Sequence, residues 1–80
     1  RGILKAPSVI CGEVLSRIRE LAGQSVGAAL SVLAHPRVAQ TLMEEHRDAL
    51  DRIEAQTGIA VHITPRDDYH VEQTEVVATN

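Results

Sequence analysis

Four histidines are the first residues of the sequence that could do chemistry: His35, His46, His62 and His70. Imidazole is a common zinc ligand, and His62 and His70 would face each other if the segments that carry them formed a hairpin. A structural zinc site, however, usually needs four ligands. No cysteine or carboxylate spacing completes such a set here. The sequence therefore favours polar surface histidines and predicts no metal site.

Four carboxylates near the end of the chain invite a second hypothesis, a magnesium pocket for phosphodiester cleavage. They are Asp67, Asp68, Glu72 and Glu75. Metal-assisted hydrolysis needs carboxylates that converge from rigid elements, whereas adjacent aspartates in a turn point apart and usually shape the turn itself. The turn interpretation is favoured.

Cys11 is the single cysteine, so it forms neither an internal disulfide nor a zinc site by itself, which fits a reducing compartment. A nucleophilic thiol paired with a histidine needs an exposed and activated setting. Cys11 instead lies beside an apolar stripe, where a buried small hydrophobic residue is the expected role. No catalytic residue is predicted.

Scattered arginines are the remaining candidates, because they could meet phosphate groups: Arg37, Arg47, Arg52 and Arg66. Arg37 follows Pro36 in what should be the first turn of a helix, where free N–H groups also favour an anion. The segment from His35 to Arg37 is thus the preferred local contact for RNA, with Arg47 and Arg52 as weaker ones. The net charge of -3, the absence of Phe and Trp and the single Tyr69 argue against strong or sequence-specific binding.

Apolar periodicity predicts the elements that must position these residues. Ile10, Val14, Ile18 and Leu21 recur at helical spacing from Pro7 to Ala22, with Gly23 suited to a left-handed position past the end. Gly12 weakens this helix and would allow close approach of another backbone. Residues 26–34 are almost wholly apolar and predict a central strand.

The second half of the chain predicts a helix pair and two strands. Pro36 opens a helix whose apolar positions are Val38, Ala39, Leu42 and Met43, and the residues around His46 mark a break. A further helix carries Ala49, Leu50 and Ile53 inward and stops at Gly58. Ile59, Val61 and Ile63 alternate as a strand, a turn follows at residues 65–68, and residues 69–77 return as the second strand of a hairpin with a bulge or an edge position.

The order of elements predicts a two-layer α+β domain: helix, strand, helix pair, strand, strand, with a three-stranded mixed sheet and helices on one face. Eighty residues are one domain with a small core. A partner surface would supply the missing apolar area. Residues 1–6 are interpreted as a linker and residues 7–80 as the domain. No signal peptide or membrane span is found in the sequence, and a cytoplasmic location is expected.

The segment from Arg1 to Ser8 resembles the stretch that follows the zinc-link in the ribonuclease E/G family of endoribonucleases. Gly2 matches the last glycine of that stretch, and Val9-Ile10-Cys11 matches the apolar start of the helix after it. The resemblance continues through most of the chain and rests there on these further residues: His35-Pro36 with Val38-Ala39 and Leu42, Leu50 with Ile53-Glu54, and Tyr69-His70-Val71.

The resemblance implies the small C-terminal domain of such an enzyme, with the catalytic body upstream. In the family, cleavage belongs to a magnesium-binding carboxylate site, and zinc is held by cysteines of the zinc-link. Both groups would lie outside this chain, and Cys11 does not match the zinc-link cysteines. The implied role is non-catalytic: the domain helps to hold subunits of the parent enzyme together and lines part of the RNA path.

Two alternatives from other classes stay open. One is an independent RNA-binding module that contacts the phosphate backbone through the helix pair and the Pro36 corner. The other is a regulatory or metal-binding α+β domain unrelated to ribonucleases.

Overall fold

The computed structural model describes residues 5–24 and 29–79 as three helices and three strands. The elements in chain order are α1 (Pro7–Gly23), β1 (Ala29–Ala34), α2 (Pro36–Glu45), α3 (Arg47–Thr57), β2 (Ala60–Pro65) and β3 (Thr74–Thr79). Of the predicted linker, residues 1–4 lie outside the described part, as do residues 26–28 of the predicted first strand.

Helix α1 forms where the apolar spacing predicts it. Pro7 occupies its first turn, and its buried face comprises Ile10, Cys11, Val14, Leu15, Ile18 and Ala22. The prediction for Gly23 is wrong. Gly23 is the last helical residue, and the cap is Gln24 in a right-handed conformation, whose N–H donates to the carbonyl of Leu21 at 3.1 Å. A tightened last turn closes the helix without a left-handed residue.

Helices α2 and α3 are separated at His46, as predicted. The N–H of His46 donates to Leu42 at 3.1 Å, and its carbonyl accepts from Leu50 at 3.0 Å. Gly58 ends α3 in the left-handed region with φ of 75°, which glycine adopts without steric cost. Met43, the last apolar position of α2, is 37% exposed. The inward stripe of α2 consists of Val38, Ala39 and Leu42.

The sheet has the order β2-β1-β3, so β1 is central as predicted. β1 and β2 are parallel and joined through α2 and α3, whereas β3 is antiparallel to β1. The predicted hairpin between the last two strands is therefore wrong, because β2 and β3 lie on opposite sides of β1. The strand predicted over residues 69–77 is also shorter: residues 69–73 form turns, and β3 begins at Thr74.

The helices cover one face of the sheet, which confirms the predicted two-layer α+β fold. Leu30, Val32 and Ala34 of β1 point to that face and are buried. They belong to one hydrophobic cluster with buried residues of all three helices, among them Ile18 and Leu42. Two of the candidate residues for RNA contact, His35 and Arg37, lie directly after the end of β1.

Candidate nucleic-acid interface and assembly surface

The corner between β1 and α2 is built by His35 and Pro36. The imidazole Nδ1 of His35 accepts the N–H of Arg37 at 3.0 Å, so His35 caps the helix that Pro36 opens. One of the free N–H groups at the start of α2 is thereby satisfied. The Arg37 side chain is exposed. Of the four residues predicted to contact RNA, His35 and Arg37 are brought together at this corner.

Arg66, the residue directly after β2, joins the same corner. Its N–H donates to the carbonyl of Ala34, the residue before His35, at 2.7 Å. Its guanidinium binds Asp68 through two hydrogen bonds, Nε to Oδ1 at 3.0 Å and Nη2 to Oδ2 at 2.9 Å. The carbon at the centre of the guanidinium lies 5.3 Å from the centroid of the Tyr69 ring. Sequence reasoning did not connect Arg66 with His35, since only the parallel pairing of β1 and β2 places them side by side.

The charge of Arg66 is largely balanced within its own loop. The hydrogen bond to Asp68 raises the pKa of Arg66, and the same bond lowers the pKa of the Asp68 carboxyl. Tyr69 donates to Glu75 at 3.1 Å, and desolvation, followed by this hydrogen bond, raises the pKa of its phenol. Arg37 is thus the cation at this corner that carries the least local compensation.

Arg47 and Arg52, the other two predicted contacts, both lie on α3 and are exposed. Arg47 pairs weakly with Asp51 at 3.9 Å. Within residues 5–24 and 29–79, no hydrogen bond or ion pair links either arginine to the corner of His35 and Arg37. The four residues therefore do not form one connected network, and their contact with RNA stays a prediction.

Three of the four carboxylates considered for magnesium have separate partners. Asp68 binds Arg66, Glu75 accepts from Tyr69, and Glu72 accepts the backbone N–H of Lys5 at 2.8 Å. Among the residues that the structure describes, no three His, Cys, Asp or Glu side chains gather as metal ligands would. His62 and His70 do not oppose each other, because the hairpin that would have paired them does not exist.

Cys11 is fully buried, as its place beside the apolar stripe predicted. Its thiol lies 3.7 Å from the carbonyl of Val38, a weak hydrogen bond. Burial, and secondarily the charge of Glu45, raises the pKa of the thiol to about 11. The thiol is therefore protonated near neutral pH and behaves as a small hydrophobic residue.

The sheet face away from the helices is a second surface, which we call the open face. None of its nine residues is buried. Its members are Ala29, Ser31 and Leu33 of β1, Ala60, His62 and Thr64 of β2, and Glu75, Val77 and Thr79 of β3. Val77 is among the few large hydrophobic side chains that are exposed, at 39%. Only His62 and Glu75 on this face are titratable, so most of it is neutral.

The two outer edges of the sheet differ. On β2, the N–H of Val61 donates to the Glu54 carboxylate of α3 at 2.7 Å. Because backbone groups alternate sides along a strand, Val61, Ile63 and Pro65 direct their backbones away from β1. Proline has no N–H, which leaves only Ile63 with an unpaired outward donor on this strand. The β2 edge is thus largely closed to further pairing, a feature that the sequence did not signal.

Comparison with known proteins identifies one family. The family model described as RNase E/G, thioredoxin-like domain, matches residues 1–79. No curated protein is similar enough to this chain to count as a match. In the part of the chain that the structure describes, no helix is both long and apolar enough to cross a membrane.

Proposed function

Because the chain belongs to the RNase E/G family as its thioredoxin-like domain, we propose that it is the non-catalytic, C-terminal small domain of an endoribonuclease. Its role is the assembly of subunits in the cytoplasm, and its partners are other copies of the parent protein and the catalytic body. The association with RNA processing follows from the family. The assembly role and the position in the parent are the proposal.

One observation carries the assembly role: in the part of the chain that the structure describes, helices cover only one side of the sheet. The open face contains no buried residue, although a strand as apolar as β1 contributes to it. Leu33 and Val77 lie on this face, at a place where a larger assembly would remove them from water. Such cover would add a larger share of buried apolar surface to a small core without Phe or Trp than to a large core.

The resemblance to a thioredoxin fold does not extend to dithiol chemistry. A redox-active pair needs two cysteines that can bridge, and the sequence holds one. That cysteine is buried, with a thiol pKa of about 11. Magnesium for cleavage and zinc for the link between subunits would be bound by upstream parts of the parent enzyme.

A local contact with RNA backbone is the second candidate function. The meeting of His35, Arg37 and Arg66 at the ends of the two parallel strands favours it. The net charge of -3 and the pairing of Arg66 with Asp68 weigh against an independent RNA-binding module. We therefore assign this corner, with Arg47 and Arg52 beyond it, at most a supporting role along an RNA path.

Sedimentation equilibrium of the 80-residue chain tests the assembly role. We expect a concentration-dependent rise in mean mass up to roughly 1 mM, the range of weak interfaces. A strict monomer at that concentration would contradict intrinsic assembly. The position in the parent is tested by the coding sequence upstream of Arg1, which should encode a Cys-Pro-x-Cys pair; any other upstream sequence overturns this part of the proposal.

A further inference from the structure

β3 is an outer strand of the sheet, so one of its two edges has no neighbouring strand among the described residues. The carbonyl of Ala34 accepts from Arg66, the residue after β2, so by alternation Ala29, Ser31 and Leu33 direct their backbones toward β3. The register pairs these three with Thr79, Val77 and Glu75. The intervening residues of β3 therefore direct their N–H and C=O groups outward: Thr74, Val76 and Ala78.

The β3 edge lacks the devices that close the β2 edge. Its outward residues include no proline, and no side chain of the described residues donates to or accepts from their backbones. Natural sheets usually blunt such an edge with Lys, Pro, a bulge or a covering segment. The strand Thr74–Thr79 has no Lys or Pro among its residues, and β-branched side chains fill most of it.

We infer that β3 pairs antiparallel with β3 of a second copy of this chain, about a two-fold axis through Val76, to form a continuous sheet. This inference rests on the assembly role proposed above and adds a second contact, the β3 edge, which is separate from the open face and leaves that face uncovered. Val76 then forms a hydrogen-bonded pair with the partner's Val76, and Thr74 does so with the partner's Ala78. Each such pair exchanges both N–H to O bonds. The axis is perpendicular to the sheet, so the helices of both copies lie on the same side.

The single charge of β3 is compatible with a second copy as the partner and favours Val76 as the centre of the pair. Glu75 is the only charged residue of β3. In this register it lies opposite the partner's Val77, on the open face. A centre at Glu75 would oppose two carboxylates directly, which destabilises a strand pair. A two-fold axis through Val77 would shift the two strands past each other. Fewer outward backbone groups of Thr74–Thr79 would then pair with those of the partner's Thr74–Thr79.

A cleft beside the edge leaves room for the second copy. It has a volume of about 380 Å³ and lies between α1 and β3, lined by Glu13, Val14 and Arg17 and by Thr74, Glu75 and Val76. Val76 is only half-buried there. The partner's Val76 would cover it on the helix side. The two-fold axis also places α1 of the second copy antiparallel to α1 of the first. Arg17 and Glu13 stay paired within their own chain, with Glu20 at 2.8 Å and with Lys5 at 2.6 Å.

The contact area is modest. Pairing of two six-residue strands buries less than the roughly 800 Å² per partner of standard stable complexes. The isolated chain should therefore associate weakly, and tighter pairing would require that the parent enzyme hold two copies near each other.

The first test compares two substitutions at Ala78, whose side chain is exposed and whose N–H points outward. Ala78→Pro removes the donor to the partner's Thr74, whereas the matched control Ala78→Ser keeps it. By sedimentation equilibrium we expect the dimer dissociation constant to rise tenfold or more for Ala78→Pro and to stay unchanged for Ala78→Ser. Circular dichroism checks that both variants fold.

A second test reads the register directly and does not depend on proline. In a Cys11→Ala background, one chain carries Glu75→Cys and another carries Val77→Cys. Residues that face each other as a non-hydrogen-bonded pair have Cα atoms about 4.5 Å apart, within disulfide reach. Mild oxidation should cross-link the mixture and leave either chain alone monomeric on a denaturing gel.

The outcomes separate the two proposals. A wild-type chain that stays monomeric at roughly 1 mM overturns the assembly role itself. If Ala78→Pro leaves the dimer dissociation constant unchanged, or if the mixture does not cross-link, the proposal that β3 is the contact is wrong. Assembly through another surface then still stands. Cross-linking of Val77→Cys with itself overturns the centre at Val76. Capture of an extended peptide from another protein in place of the second copy would overturn the choice of partner.

Discussion

Cys11 shows how burial alone decides the chemistry of a residue. The thiol has no exposed surface, and its pKa is raised to about 11 by desolvation first and by the charge of Glu45 second. We expect it to react with an aromatic disulfide reagent at pH 8 only when urea unfolds the chain, and to be inert in the folded protein. Fast labelling without denaturant would contradict this placement.

The same shift gives a stability prediction with a definite sign. Between the ordinary thiol pKa of 9.0 and about 11, the unfolded chain releases the Cys11 proton while the folded chain keeps it. The unfolded state then binds fewer protons, so the free energy of unfolding falls as pH rises through this window. Urea titrations at pH 8 and 10.5 should show a smaller loss for Cys11→Ala than for wild type. Equal losses would contradict the shift.

Glu54 is a residue that sequence patterns do not single out, yet it closes one edge of the sheet. Its carboxylate accepts the Val61 N–H at 2.7 Å from a half-buried position. A hydrogen bond to a charged group contributes about 1.5–3 kcal/mol. We expect Glu54→Ala to lower the free energy of unfolding by about 1.5 kcal/mol, near the lower bound because of partial exposure. Glu54→Gln keeps an acceptor and should lose less; an equal loss would show that the charge and not the acceptor matters.

At the scale of elements, two glycines of the helical layer have opposite effects. Gly12 lies inside α1 on its exposed side, and an added Cβ would meet nothing within 4 Å. Gly58 ends α3 with φ of 75°. We expect Gly12→Ala to stabilise the chain by about 1 kcal/mol through helix propensity. Gly58→Ala should destabilise it by about 1 kcal/mol, the cost of a left-handed conformation with a side chain. Thermal unfolding measures both.

The Gly12→Ala variant also tests assembly. If Gly12 permits close approach of another backbone, Gly12→Ala will stabilise the folded chain and still weaken association in sedimentation. If Gly12 has no such contact, association will be unchanged. Destabilisation of the folded chain by Gly12→Ala would contradict the open space around it.

How much of the fold can be predicted from the sequence depends on whether the signal is local. The caps at Pro36 and Gly58 are set by backbone preferences of single residues, and the sequence predicts both. The pairing of strands is not local. Alternation in Ile59, Val61 and Ile63 tells which face is buried but not which strand lies beside it. The loop of residues 66–73 is long enough to cross the end of β1, so the hairpin prediction failed.

For the candidate site too, the sequence predicts only the contacts between residues that are close along the chain. The sequence predicts His35 and Arg37 together because they are neighbours along the chain. Arg66 reaches them only through the parallel register that pairs Ala34 with Pro65. Likewise, the contrast between the two sheet edges depends on Glu54 reaching β2 and on which backbone groups point outward. Neither feature leaves a periodic trace that a sequence pattern could report.

At the scale of the whole molecule, the exposed surfaces suit protein contact better than nucleic acid. The net charge is -3, and the open face is mostly neutral with an exposed Val77. Arg66 is balanced by Asp68. A chain that bound RNA by itself would need a cationic face to release counterions, and the single Tyr69 provides little stacking surface. Assembly with other subunits is the function that agrees with these properties together.

Titration with a short single-stranded RNA is the measurement that separates these functions for the isolated chain. At physiological salt we expect a dissociation constant weaker than about 10⁻⁴ M, beyond the range of ordinary non-specific binders. At low salt, any remaining binding should weaken with Arg37→Ala, because this exposed cation lies at the start of α2 beside the cap His35. Arg19→Ala, an exposed position on α1 with the same change in charge, is the matched control. Saturable micromolar binding at physiological salt would contradict the assembly role as the main one. An equal effect of the two variants would show that only net charge, and not the corner of His35 and Arg37, attracts the RNA.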